Sequence, residues 1–164
     1  MAGYDLIMYE EEFRRIEAEL QNLKKQANAS VVFLVDKNGQ LIASAGDTQN
    51  VDTTSLASLT AGNIAATGGI AKLLGEKEFT ILFHEGEKDN IHISLIGQRV
   101  ILVVIFDKGS SIGLVRLRVK KVTESLTRIF ETIASKAEAG STAAGTSESL
   151  FSEISYEDID NLFR

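Results

Sequence analysis

From residue 4 to residue 27 an apolar side chain returns every three or four positions, at Leu6, Tyr9, Phe13, Ile16, Leu20, Leu23 and Ala27. That spacing lays one apolar stripe along a helix of about 3.6 residues per turn, so an amphipathic helix opens the chain. The period then shortens. VVFLVD (31–36) and LIASA (41–45) are β-type runs on either side of Lys37-Asn38-Gly39-Gln40. Asn-Gly in that position predicts a hairpin, because both residues tolerate positive φ.

Asp52 can accept the free N–H groups that open a second helix, which runs through Leu74 and stops at Gly75, a residue suited to a left-handed C-terminal cap. Three runs follow: EFTILF (78–83), NIHISLI (90–96) and RVILVVIF (99–106). Their short joints, around Gly86 and at Gly97-Gln98, imply an antiparallel meander. Ser110 or Ser111 can cap a third helix, whose Val115, Val119, Val122, Leu126, Ile129 and Ile133 repeat at three and four. The order α-ββ-α-βββ-α predicts an α+β sandwich around one five-stranded antiparallel sheet.

Periodicity ends near residue 136. We expect a domain over 1–136, a flexible linker over 137–149 (AEAGSTAAGTSES) and an acidic amphipathic peptide over 150–164. With Ser155 as N-cap, Ile154 and Ile159 occupy the positions of a hydrophobic staple, and Asp158 makes a weaker version of a capping box. So short a peptide is not stably helical alone. It could fold into a groove on another protein, dock back on its own domain, or simply solubilise the chain.

Charge changes the picture at this point. The chain carries a formal charge of -6, and residues 137–164 hold six acids against one base, which leaves the body close to neutral. A nucleic-acid binder needs clustered bases to replace phosphate counterions, so that class is disfavoured. With no cysteine, disulfides and thiolate chemistry are excluded. The acidic start resembles no secretory signal and no run is long enough to span a membrane, so a soluble, cytoplasmic protein is expected.

The catalytic inventory is thin. His84 and His92, the two histidines, fall on different strands in neither HxH nor HExxH spacing and read as satisfied or exposed strand residues. Glycines 62, 68, 69 and 75 form no phosphate-loop motif and lie within or at the end of a helix. We expect no active site, no metal and no cofactor.

The second helix carries the most informative surface. Leu56, Leu59, Asn63, Ile70 and Leu74 share one side and are expected to face the core, while Ser58, Gly62, Ala65, Gly69 and Lys72 share the other. Glycine inside a helix costs about 1 kcal/mol relative to alanine, so this stripe needs a reason. Small residues let another backbone approach closely. The stripe either packs within the protein or against a second copy of itself, or it forms a flat platform for a partner.

MYEEEF, VVFLVDKNGQLIASAG, VDTTSLASLTAGNIAATGG, VVIFD followed by GLVRLRVKK, and EISYEDIDNLF together resemble the bacterial Roadblock proteins related to dynein light chains, over nearly the full length. The resemblance implies a Roadblock-type homodimer in which the third strand, with Phe79, Ile81 and Phe83, pairs with its copy and the two second helices lie side by side. Pairing would also remove an apolar sheet edge prone to aggregation. It further implies a GTPase-activating regulator of a Ras-like small GTPase, two copies engaging one GTPase, in a cell-polarity or gliding-motility system with a location at a cell pole. Gly62, Ala65, Ala66 and Gly69 match the surface that meets the GTPase, and Phe151, Ile154, Ile159, Leu162 and Phe163 match a second, C-terminal contact. No residue here is expected to serve as an arginine finger, because in this family the GTPase carries its own. The alternative within the family is a polarity scaffold or adaptor that localises partners without stimulating hydrolysis.

Overall fold

The computed structural model describes residues 2–143, with side chains over residues 9–139. The elements are α1 (Ala2–Gln26), β1 (Val31–Asp36), β2 (Leu41–Gly46), α2 (Thr53–Leu74), β3 (Ile81–His84), β4 (Asn90–Ile96), β5 (Val100–Phe106) and α3 (Ile112–Ala143). The sheet has the order β2-β1-β5-β4-β3 with every neighbouring pair antiparallel. This is the expected α+β sandwich, with α1 and α3 on one face and α2 on the other.

The two-residue period of the strands sorts the core into these layers. Val32 and Leu34 of β1, Leu102, Val104 and Phe106 of β5, and Ile96 of β4 pack against Ile16, Leu20 and Leu23 of α1 and Val115, Val119, Val122, Leu126 and Ile129 of α3. Val31, Phe33, Val35, Ile101, Val103, Ile93 and Leu95 point the other way, toward α2. β1 and β5 are central and covered on both sides, which is why they read as unbroken apolar runs. Each fully buried side chain of this size contributes about 1.5–3 kcal/mol.

Several local features differ from expectation. The hairpin turn is not a two-residue Asn-Gly turn with positive φ at both positions: Gly39 alone has positive φ, at +89°. Its N–H donates to Asp36 O at 3.0 Å, and the register shifts between Leu34 and Val35. This is a three-residue turn closed by a glycine bulge. The buried Asp36 carboxylate organises it by accepting from the N–H groups of Asn38 at 2.8 Å and Gln40 at 3.0 Å. A Cβ on Gly39 would also stand 3.1 Å from Ser58 Cα, so the turn packs against α2.

On α1, Tyr9 and Phe13 are partly exposed and the buried line instead passes through Glu12, Ile16, Leu20, Leu23 and Ala27. Glu12 is accommodated because Lys136 of α3 donates to its carboxylate. That hydrogen bond is the largest cause holding the Glu12 carboxyl below its ordinary pKa, against the opposing effect of desolvation. α3 itself continues through Ala143, seven residues into the stretch expected to be linker. Alanine-rich sequence there, including Ala134, Ala137 and Ala139, has high helix propensity and lets the last turns propagate. At the other end the choice between the two serines is decided: Ser111 Oγ accepts from Leu114 N–H at 3.2 Å, while Ser110 Oγ donates to Ala27 O.

Candidate partner surface

α2 is fixed at both ends as its sequence indicates. Asp52 accepts from the backbone N–H of Ser55 at 3.1 Å and from its hydroxyl at 2.6 Å. The hydroxyl bond is the first cause of the lowered pKa of Asp52. At the C-terminus Gly75 adopts φ +75°, and the N–H groups of Gly75 and Glu76 donate to Lys72 O and Ala71 O.

Between these caps the helix does not bury the face expected of it. The residues turned to the sheet are Ala57, Thr60, Ala61, Ile64 and Ala71, whereas Leu59 is 71% exposed, Leu74 67% and Ile70 about half. The physical reason lies across the layer: Phe33, Ile101, Val103 and Leu95 already fill the space from the sheet side, so the helix comes close on small residues. The core therefore runs along a third face, between the leucine side and the small-residue side. Sequence reasoning missed it because alanines carry little hydrophobic weight, although 57, 60, 61, 64 and 71 do repeat at helical spacing.

Two kinds of surface are left outward. Leu73, which is 87% exposed, lies between the flanks, one turn on from Gly69, and on one flank stand Leu59, Ile70 and Leu74. On the other, Ser58, Gly62, Ala65, Ala66 and Gly69 are all exposed, and a Cβ built on Gly62 or Gly69 would meet nothing within 4 Å. Gly68 is equally free of neighbours. Internal packing thus gives these glycines no reason to be small, which removes one of the readings left open by the sequence.

Beside α2 the sheet face is only partly covered. α2 lies over β1 and β2, and Leu82, Ile91 and Ile105, nearer the β3 edge, are partly buried. β3 is an edge strand of four residues, shorter than the 78–83 expected, so Phe79 falls outside it. Pairing continues at Thr80, whose carbonyl accepts from Leu95 N–H at 2.8 Å. Ile81 is 51% exposed, and Phe83 leans on Phe106 with ring centroids 6.2 Å apart. The exposed aliphatic side chains and bare small-residue stripe of α2 form an apolar surface of the kind that marks an interaction site; β3 adds an open backbone edge beside it, with Ile81 and Phe83 turned to the α1/α3 face. Charge is sparse on the α2 surface, Lys72 being the one ionisable residue of α2.

One histidine is placed as expected and the other is not. His84 is exposed on β3, but His92 is buried, and neither of its ring nitrogens has a hydrogen-bond partner among the described residues. Burial, and then the positive charge of Arg116, push its pKa below the ordinary histidine value, so it is held neutral. No group of three His, Asp or Glu side chains among the described residues could hold a metal ion. No helix among them is long and apolar enough to cross a membrane. Phe151, Ile154, Ile159, Leu162 and Phe163, expected to form a second contact, lie outside the described residues.

Residues 15–106 match the Roadblock/LC7 domain, and the chain belongs to that family. Within it, the structure is similar to Myxococcus xanthus MglB, with 66% identity, a TM-score of 0.74, and coverage of 77% of this chain and 95% of that one. The gliding protein MglB from Thermus thermophilus is 32% identical with a TM-score of 0.69, over 73% of this chain and 91% of that one. An MglB with tetrameric arrangement is 31% identical with a TM-score of 0.71, over 74% and 92% respectively. No curated protein sequence matches the chain.

Proposed function

We propose that this protein is a homodimeric regulator of a Ras-like small GTPase, which it stimulates without supplying a catalytic residue. The observation that carries the reading is the outward band of α2, where Gly62, Ala65, Ala66 and Gly69 are exposed and no internal neighbour requires Gly62 or Gly69 to be glycine. A flat backbone-like strip lets two flexible loops of a partner come close and be held, which is what hydrolysis by a GTPase with its own catalytic residues needs. Likeness to MglB proteins, one of them described as a gliding protein, supports a role in cell polarity or motility.

The same surface supports the dimer. Two copies joined at the β3 edge would merge their sheets and bring two α2 helices together, covering Leu59, Ile70, Leu73 and Leu74 and presenting two small-residue strips to one GTPase. The test is GTP turnover by a Ras-like partner with and without this protein. Stimulation is expected, and A65R combined with G69R should abolish it while leaving the dimer intact. Stimulation that survives the double variant would place the GTPase surface elsewhere. No change in turnover with the unaltered protein would leave a polarity scaffold, which localises partners without acting on hydrolysis. Truncation after Ser149 is expected to weaken GTPase binding without unfolding the domain.

A further inference from the structure

The solvent face of α3 is as distinctive as that of α2, in charge. Opposite or flanking Val115, Val119, Val122 and Leu126 stand Arg116, Lys120, Lys121 and Arg128, all exposed, with Leu117 50% exposed among them and Glu124 and Glu131 as the acids of this face. Arg116 and Lys120 are like charges four residues apart, an arrangement that destabilises a helix. Among the described residues none of Arg116, Lys120 and Lys121 forms an ion pair. So basic a band is unexpected in a chain of charge -6.

The segment that could neutralise it is in the same chain. Residues 144–164 contain Glu148, Glu153, Glu157, Asp158 and Asp160 against Arg164 alone, interleaved with Phe151, Ile154, Ile159, Leu162 and Phe163. α3 rises about 1.5 Å per residue, so Lys121 lies about 33 Å back from Ala143. Fifteen residues from 144 to Asp158 reach about 50 Å when extended. The acids therefore reach Lys121, Lys120 and Arg116 with slack. Other described surfaces suit them less: the outer side of α1 mixes Glu10, Glu11 and Glu17 with Arg14 and Arg15, and α2 offers Lys72 alone.

We infer that in the free protein residues 150–164 fold back onto the α3 of their own chain, their acids facing Arg116, Lys120 and Lys121 and their apolar side chains meeting Leu117. The inference rests on charge and reach and is independent of the GTPase reading. A partner that captures this segment would have to draw it off α3, so the segment would be stored on the domain between encounters.

The absence of cysteine allows a single nitroxide to be placed at S152C in the otherwise unaltered, isotope-labelled full chain. Loss of the amide signals of residues 116–121 is expected. The signals should return at about 1 M salt, where the Debye length is about 3 Å, and also in K120E combined with K121E, whose remaining amide spectrum verifies its fold. Signal loss on α2 or nowhere would overturn the inference, as would loss that persists in the charge-reversed variant. Loss seen only when nitroxide and isotope are on different chains would assign the segment to a second copy and overturn it too. No GTPase is present, so neither outcome bears on the proposed function.

Discussion

α2 and α3 cover opposite faces of one sheet and distribute their apolar side chains in opposite ways. α3 buries Val115, Val119, Val122, Leu126 and Ile129 and turns a mostly basic face outward. α2 buries mostly alanine and threonine and leaves Leu59, Ile70, Leu73 and Leu74 exposed. The two differ in what their outer faces serve. A helix that leaves most of its large residues outside presents an apolar surface of the kind that marks an interaction site.

That contrast can be broken by mutation. The largest effect is expected in the α3 layer: L126A should cost about 2–5 kcal/mol in denaturant unfolding, because a fully buried leucine leaves a cavity between α1, α3 and the sheet. A smaller and opposite effect is expected on α2, where G62A should stabilise the domain by about 0.5–1 kcal/mol, since the new methyl meets open space and helix propensity rises. A loss of stability there would mean the glycine serves internal packing after all. L73S should change intrinsic stability by no more than about 0.5 kcal/mol, with any further shift in the unfolding midpoint depending on protein concentration, as self-association through α2 requires.

Two buried ionisable groups sharpen the comparison further, both on the α1/α3 side. His92 is neutral in the fold because its pKa is lowered, so the unfolded chain binds more protons and stability should fall as pH drops below about 6.5. H92L should flatten that slope in pH-dependent melting, with no loss at neutral pH because no hydrogen bond to His92 is broken among the described residues. For Glu12 and Lys136, an asymmetry is expected. K136M should lower the melting temperature more than E12L, because it leaves a buried carboxylate without its partner.

Much of this organisation is legible in sequence wherever one residue type has one physical outcome. Asp52 and Gly75 bound α2 because an N-terminal helix end wants an acceptor and a C-terminal end wants positive φ. β1 and β5 are evident from β-branched runs. Glu12 was not legible, since a charged residue in an apolar stripe is read as solvent-facing until Lys136, 124 residues away, is brought beside it. Nor was the end of α3, whose alanine-rich extension has the composition of a linker. The α2 surface was half legible: its leucine side and its small-residue side were separable by spacing, but that the sheet covers a third side between them was not.

By itself, then, the sequence determines the elements, their order, the caps and the small-residue stripe of α2, because these follow from propensity and spacing along a local stretch of chain. Only the tertiary structure decides which face of α2 is buried, because that depends on how much volume Phe33, Ile101 and Leu95 bring from distant strands. It likewise decides that β3 is the open edge and that His92 is enclosed, since both depend on which strands become neighbours.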